Sequence, residues 1–181
     1  MAELRFVVPG EEHAALILGW RTQPRVTRMM FTDVSHGVEQ QRLWLRAALQ
    51  RPDYRHWLAL DGDRPIGLVN LQDIDWERGE SASGFYMGEE DANPLAGFIL
   101  AHLYNHAFHR LGFVAMTAQV MAENTDVLRL HRVHGYVEDG MMEGGLVKNG
   151  VRHEIHKLRL TREAWLAKRA YQRYRAEFPW P

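Results

Sequence analysis

Ser83-Gly84-Phe85-Tyr86-Met87-Gly88, followed by Glu89-Glu90-Asp91-Ala92-Asn93-Pro94-Leu95-Ala96-Gly97, is the stretch whose reading decides the fold. The first six residues read as a strand, Glu89 to Asn93 as a polar turn, and Pro94 onward as the start of an apolar-periodic helix. Asn93 suits the N-cap and Pro94 the first helical position, where a missing N–H costs nothing. The N–H groups of Leu95, Ala96 and Gly97 would then leave the helix end that carries partial positive charge, an arrangement that can hold a phosphate. Small side chains at Ala96 and Gly97 would let a phosphate come close to the backbone. The turn alone reads more simply as a helix capped by its own asparagine.

The next segment narrows the choice. After an apolar strand, Val114 to Met121, the chain reads Glu123-Asn124-Thr125-Asp126-Val127-Leu128-Arg129-Leu130-His131-Arg132-Val133-His134-Gly135-Tyr136. This order resembles the acetyl-CoA-binding half of the GNAT superfamily of N-acyltransferases, which places an asparagine after a strand, then an apolar pair, then Leu-Tyr or Leu-His, then Gly-Phe or Gly-Tyr. Here those places hold Asn124, Val127-Leu128, Leu130-His131 and Gly135-Tyr136. The phosphate turn of the family matches at Ala96. The resemblance implies an α/β fold with a mixed, largely antiparallel sheet of about seven strands flanked by helices, splayed near Tyr86 and Gln119 to admit acetyl-CoA. It also implies that Tyr86, Met87, Gly88, Leu95, Ala96, Gly97, Asn124 and Leu130 hold the cofactor, with the amides of Tyr86 to Gly88 along the pantetheine arm.

Composition sets the outer limits. A chain of 181 residues with 46% hydrophobic and 25% charged residues is expected to form one domain over 1–181, large enough for a substantial core. A net charge of −1 offers no general attraction to nucleic acid or to anionic lipid. The absence of cysteine excludes disulfides, thiolate zinc sites and a cysteine nucleophile. Met1 to Val8 holds no signal-length apolar run and no segment reaches membrane-spanning length, so cytoplasmic residence is the expectation.

In chain order, Leu4 to Val8 reads as a strand stopped by Pro9-Gly10, and Glu11 to Arg21 as a helix. Pro24 to about Met30 and Val38 to Gln50 read as two more helices. His56 to Leu60 and Pro65 to Leu71 read as strands joined through Asp61-Gly62-Asp63-Arg64. Met141 to Val147 and Val151 to Leu160 flank Lys148-Asn149-Gly150, a strong hairpin signal. Thr161 is expected to cap an appended helix over 161–181, ending about Glu177. Its Ala167, Ala170, Tyr171, Tyr174 and Phe178 would dock on the domain or on a second copy in a homodimer. His102, His106 and His109 fall at helical spacing on the polar side of the long helix and read as a solvated stripe, so no metal is expected.

The N-terminal region extends the resemblance. Trp20-Arg21, a loop, Met29-Met30-Phe31, Ile74-Asp75 and then Gly84 to Gly88 are similar to the GNAT branch of ribosomal-protein alanine, spermidine and UDP-linked amino-sugar (pseudaminic acid pathway) N-acetyltransferases. The Leu-His form of the motif, with Met30-Phe31 after Trp20-Arg21, looks most like the amino-sugar enzymes. The implied activity is acetyl transfer from acetyl-CoA to a primary amine, with a nucleotide-linked amino sugar as first choice of acceptor. A protein N-terminus or a polyamine is the alternative, and a non-catalytic acyl-CoA-binding module a third reading. Trp20, Arg21, Arg28, Met30 and Phe31 would border the acceptor. His131 takes the place of the family's proton-donating tyrosine, and with an ordinary pKa near roughly 6.5 it could donate or accept at neutral pH. Gln119 stands where the amino-sugar enzymes carry a candidate base, and it cannot take a proton. That leaves His131 acting through water, Glu123, or bulk solvent.

Overall fold

The computed structural model describes residues 3–180; Met1, Ala2 and Pro181, the ends of the expected domain, lie outside the described residues. The main sheet has seven strands. They are β1 (Leu4–Val7), β2 (Arg55–Asp61), β3 (Arg64–Asp75), β4 (Glu80–Met87), β5 (Ala115–Met121), β6 (Val137–Met141) and β9 (Ile155–Thr161), in the order β1-β2-β3-β4-β5-β9-β6. All neighbours pair antiparallel except β4 and β5, which run parallel. A separate two-stranded ribbon is formed by β7 (Leu146–Lys148) and β8 (Val151–His153). Asn149 and Gly150 both take positive φ, 50° and 76°, as a tight hairpin turn of this kind requires. The glycines at 144 and 145 break the expected Met141 to Val147 strand, so its first part joins the main sheet and its last part the ribbon.

Helices cover both faces. On one side lie α1 (Ala14–Arg21), α2 (Pro24–Thr27) and α3 (Val38–Ala48), with Ala14, Ile17, Trp20 and Leu45 packed on Leu58, Leu60 and Leu68. On the other lie α4 (Ala96–Asn105) and α5 (Thr125–His134), packed over Val69, Leu71, Met116 and Leu158. Strand β2 is buried along five consecutive residues because helices and the chain terminus shield both its faces.

Two helix ends differ from the sequence reading. Asn93 and Pro94 do not open α4: Glu90–Leu95 form a 3-10 turn, Leu95 is the N-cap, and the Ala96 N–H is spent on Asn93 O. At the other end Thr161 does cap, accepting from the Ala164 N–H at 3.2 Å, but α6 (Arg162–Ala167) stops after six residues. The chain then crosses α4 as a short turn, Arg169–Tyr171, and an irregular tail. Tertiary contacts outweigh helix propensity here. The Asn105 amide donates to Tyr171 O at 2.8 Å and Tyr174 O at 2.6 Å. Phe178 stacks on Phe6 at 4.1 Å between ring centres, and Trp57 Nε1 donates to Pro179 O at 2.6 Å.

That tail also corrects the histidine stripe. His106 lies 4.8 Å from the Phe178 ring and His102 5.7 Å from Tyr174, so both are half-buried beneath the tail instead of facing water. Burial pushes the His106 imidazole down to about 4 and lowers His102. The tail's aromatic side is thus engaged by its own domain. Among the described residues no group of three or more His, Asp or Glu side chains is placed to hold a metal, and no helix is long and apolar enough to cross a membrane.

Candidate acetyl-transfer cleft

Strands β4 and β5 pair only from Glu80–Ala115 to Ala82–Thr117. Beyond Ala82 they part, and a cleft of about 930 Å³ opens along Ser83 to Met87 on one side and Ala118 to Met121 on the other. The splay is where the sequence places it. It leaves half of the backbone groups from Ser83 to Met87 without a strand partner, which is a demand for a hydrogen-bonding ligand. Which half follows from register. Gly88 N–H donates to Ile66 O at 2.8 Å, continuing the Gly67–Met87 and Leu68–Tyr86 pairs of β3. Hydrogen-bonding direction alternates along an antiparallel strand. The groups of Phe85 and Met87 therefore face the gap, whereas those of Tyr86 and Gly88 are turned to β3.

The cleft gathers many of the residues singled out from sequence and leaves others aside. Tyr86, Met87, Ala96, Gly97, Asn124, Leu130 and His131 line it, as do Arg28, Met30 and Phe31. Gly88 and Leu95 are not in its wall. Trp20 is a core residue, 2% exposed, with its ring seated against Gly88 so closely that a Cβ there would collide. Its Nε1 donates to Glu89 Oε1 at 2.9 Å. Arg21 lies behind the wall, donating to Thr32 O at 3.2 Å and lying 5.9 Å from the Tyr86 ring centre. Glu123 points away, accepting at 3.0 Å from His153 Nδ1, and its own backbone N–H and His153 hold its carboxyl below the usual range. That position and that acidity make it a poor base.

His131 departs most from expectation. It sits on the inner side of α5, 3% exposed, between Phe85, Tyr104 and Tyr136. Burial, with His134 nearby, pushes its imidazole down to about 3, and His134 is itself pushed to about 4 by burial. At neutral pH both rings are uncharged. His131 is therefore a hydrogen-bond donor or acceptor in the wall and not an imidazolium acid.

Sequence reasoning passed over Asn70 and Arg25. Asn70, on β3, lies over Gly84 in the cleft wall, and its buried Oδ1 has no partner among the described residues. A polar atom left so in a cleft wall is poised for a ligand. Only its β3 position beside a strand glycine hinted at this. Arg25 donates to Met87 O at 3.0 Å and to Gly88 O, tying the α1–α2 segment to the end of β4. Lys148 does the same for the following loop, donating to Met30 O at 2.8 Å and pairing with Asp33 at 2.8 Å.

A family model described as an acetyltransferase (GNAT) domain matches residues 3–137. The chain belongs to the GNAT acetyltransferase family. It is an N-acetyltransferase with acetyl-CoA as donor. Solved structures agree on the fold. A spermidine N-acetyltransferase from Vibrio cholerae, solved with CoA and spermine, superposes with a TM-score of 0.84 at 16% identity, over 91% of this chain and 98% of that one. A dodecameric form of the Vibrio cholerae enzyme gives 0.75 at 16% identity, over 91% and 96%. These neighbours agree with the polyamine alternative and not with the amino-sugar reading. No match was found among curated proteins.

The cleft fits the donor along the splayed edge. Phe85 offers its backbone groups and Met87 its N–H, the Met87 carbonyl being taken by Arg25, and Ala96 and Gly97 keep the start of α4 low. Where phosphates would lie, a Cβ on Gly97 would meet Leu130 Cδ1 at 3.3 Å, a flexible neighbour that can give way. Gly97→Glu should therefore fold, yet it adds a carboxylate to that end of the cleft. Acetyl-CoA at a hundred times its Kd should stabilise the wild type by about 2.7 kcal/mol, a rise in Tm of roughly 5–10 °C. The variant should show no rise. An equal shift in both proteins would remove the start of α4 from the binding site.

Proposed function

We propose that this enzyme acetylates the primary amine of an acceptor that carries its own negative charge, with a nucleotide-linked amino sugar as the leading class. One observation carries the choice. The α1–α2 region brings Arg25 and Arg28 to the cleft wall, and neither has a carboxylate partner among the described residues, while Arg21 lies behind it. Three carboxylates line the same cleft without a hydrogen bond among the described residues, those of Glu90, Asp126 and Asp73, the last held at a positive φ of 52° on the bulge of β3. Arg28, whose guanidinium has no hydrogen bond among the described residues, is available to pair with a diphosphate of the acceptor. Met30 and Phe31 supply an apolar surface for a base, a role from which the burial of Trp20 withdraws it. Asp73, with the spermidine enzymes among the fold neighbours, supports the polyamine reading as the second choice.

Bound acetyl-CoA supplies the thioester carbonyl to be attacked and the sulfur that leaves. The chain supplies positioning. Unpaired N–H groups of β4 hold the donor's arm in the gap, and Asn70 Oδ1 accepts from the acceptor amine, turning its lone pair toward the carbonyl. Neutral His131 holds a hydrogen bond on the departing sulfur. With both wall histidines depressed and Gln119 unable to titrate, the amine sheds its proton to water in the open cleft.

Turnover tests all of this. UDP should compete with the acceptor and spermidine should not. Arg28→Ala and Asn70→Ala should each raise the acceptor KM about tenfold or more and spare that of acetyl-CoA. Spermidine acetylated at the higher kcat/KM, with UDP inert, would make the polyamine reading correct. No thiol release with any amine would leave only an acyl-CoA-binding module.

A further inference from the structure

We propose that Tyr104 is a positioning residue: its hydroxyl donates to Nδ1 of His131 and fixes the neutral imidazole in the tautomer that presents Nε2–H to the cleft. The inference rests on reading His131 as the group that meets the departing sulfur. Tyr104 stands on α4, 0% exposed, with its hydroxyl 3.3 Å from His131 Nδ1. Its ring is gripped edge-on by Trp165 at 5.2 Å and by His134 at 5.5 Å, and rests at 5.6 Å from Tyr136, so the hydroxyl has little freedom to turn elsewhere.

A hydroxyl in such a place must put its proton on an acceptor. The neighbouring choices are a neutral imidazole nitrogen and the hydroxyls of Tyr136 and Ser83, which are engaged with each other at 3.2 Å. The imidazole nitrogen is the strongest base of the set and a phenol the strongest acid, so the best donor meets the best acceptor. The reverse arrangement would place the His131 proton on Nδ1 and a bare lone pair on Nε2. A lone pair aimed at a sulfur gaining negative charge opposes the reaction, whereas an N–H stabilises it. Nε2 has no partner among the described residues, which leaves it to the ligand. Because burial keeps the ring uncharged at neutral pH, the tautomer decides what it can do.

The test is nitrogen NMR of the full-length protein labelled with 15N-histidine. At pH 7 His131 should give the pattern of an Nε2-protonated neutral ring. Tyr104→Phe should turn that into a tautomer mixture and lower kcat about tenfold while leaving the acetyl-CoA KM unchanged. A hydroxyl that serves packing alone would lower Tm and leave the tautomer as it was. An Nδ1-protonated ring in the wild type would overturn the inference, and this measurement needs no variant. So would a Tyr104→Phe enzyme with wild-type kcat and an unmoved nitrogen spectrum. The role of His131 itself fails separately, if His131→Phe turns over normally.

Discussion

Replacing His131 by phenylalanine is expected to lower kcat about a hundredfold and to leave the acetyl-CoA dissociation constant within about twofold. The size follows from what is lost. A donor fixed in a dry wall and aimed at developing negative charge contributes roughly a hundredfold or more, whereas the same group in water contributes little. Phenylalanine keeps the aromatic packing against Phe85 and Tyr136, so the substitution removes hydrogen bonding more than volume. It also strips Tyr104 of its acceptor, a modest stability loss of about 1–2 kcal/mol. His131→Tyr restores a donor and should recover part of the rate. The pH dependence separates this role from acid catalysis. An imidazolium donor would make kcat fall as pH rises through roughly 6.5. A ring pushed down to about 3 by burial gives no such limb between pH 5 and 8. Wild-type turnover in His131→Phe would place the donor elsewhere.

What the sequence made legible, and what it hid, divides along one physical line. Elements whose signals are local came out where read: the β2–β3 and Asn149-Gly150 turns, the Thr161 cap, and the strand–helix order around Asn124. Features decided by contacts distant in sequence did not. The final helix stops at Ala167 because Asn105, Phe6 and Trp57 offer the tail better partners than a further helical turn would. His102 and His106 face the polar side of α4, but periodicity cannot show that a tail seventy residues later covers that side. The same limit governs the cleft. A motif could mark His131, yet its exposure depends on Tyr104 and Tyr136, which come from other elements. Trp20 and Phe31 look alike in sequence as apolar residues near a loop. One packs on Gly88 and the other lines the cleft, a difference fixed only when α1 meets β4. Asn70 became visible as a site residue through its unpartnered oxygen, a property no sequence pattern displays.

Acidification should unfold this protein well before its carboxylates titrate. His56, His106 and His134 are pushed to about 4, and His131 to about 3, each chiefly by burial. All four should regain a pKa near roughly 6.5 in the unfolded chain. Each native value is depressed, so below pH 6.5 the unfolded state binds protons that the native state refuses, and stability falls as pH falls. The contribution is intact above about pH 6.5 and is lost progressively toward pH 3–4. Each fully unequal proton contributes about 1.4 kcal/mol per pH unit. His106, only half-covered by the tail, is better screened and counts for less. Between pH 7.5 and 5 the sum is roughly 6–7 kcal/mol, comparable to the whole stability of many domains. Ion-paired carboxylates such as Asp33, held at about 2 by Lys148, add their loss only below roughly pH 4. His56 identifies the cause. It is fully buried, both ring nitrogens lack partners among the described residues, and Trp44, Tyr54 and Trp180 surround it. His56→Leu should hold stability at pH 7.5, because it removes an unsatisfied polar group, and should flatten the acid slope by about one proton. Tm followed from pH 7.5 to 4.5 decides the matter. A wild-type Tm that stays level to pH 4.5, or a His56→Leu slope equal to the wild type's, would mean that these rings take up protons in the native state.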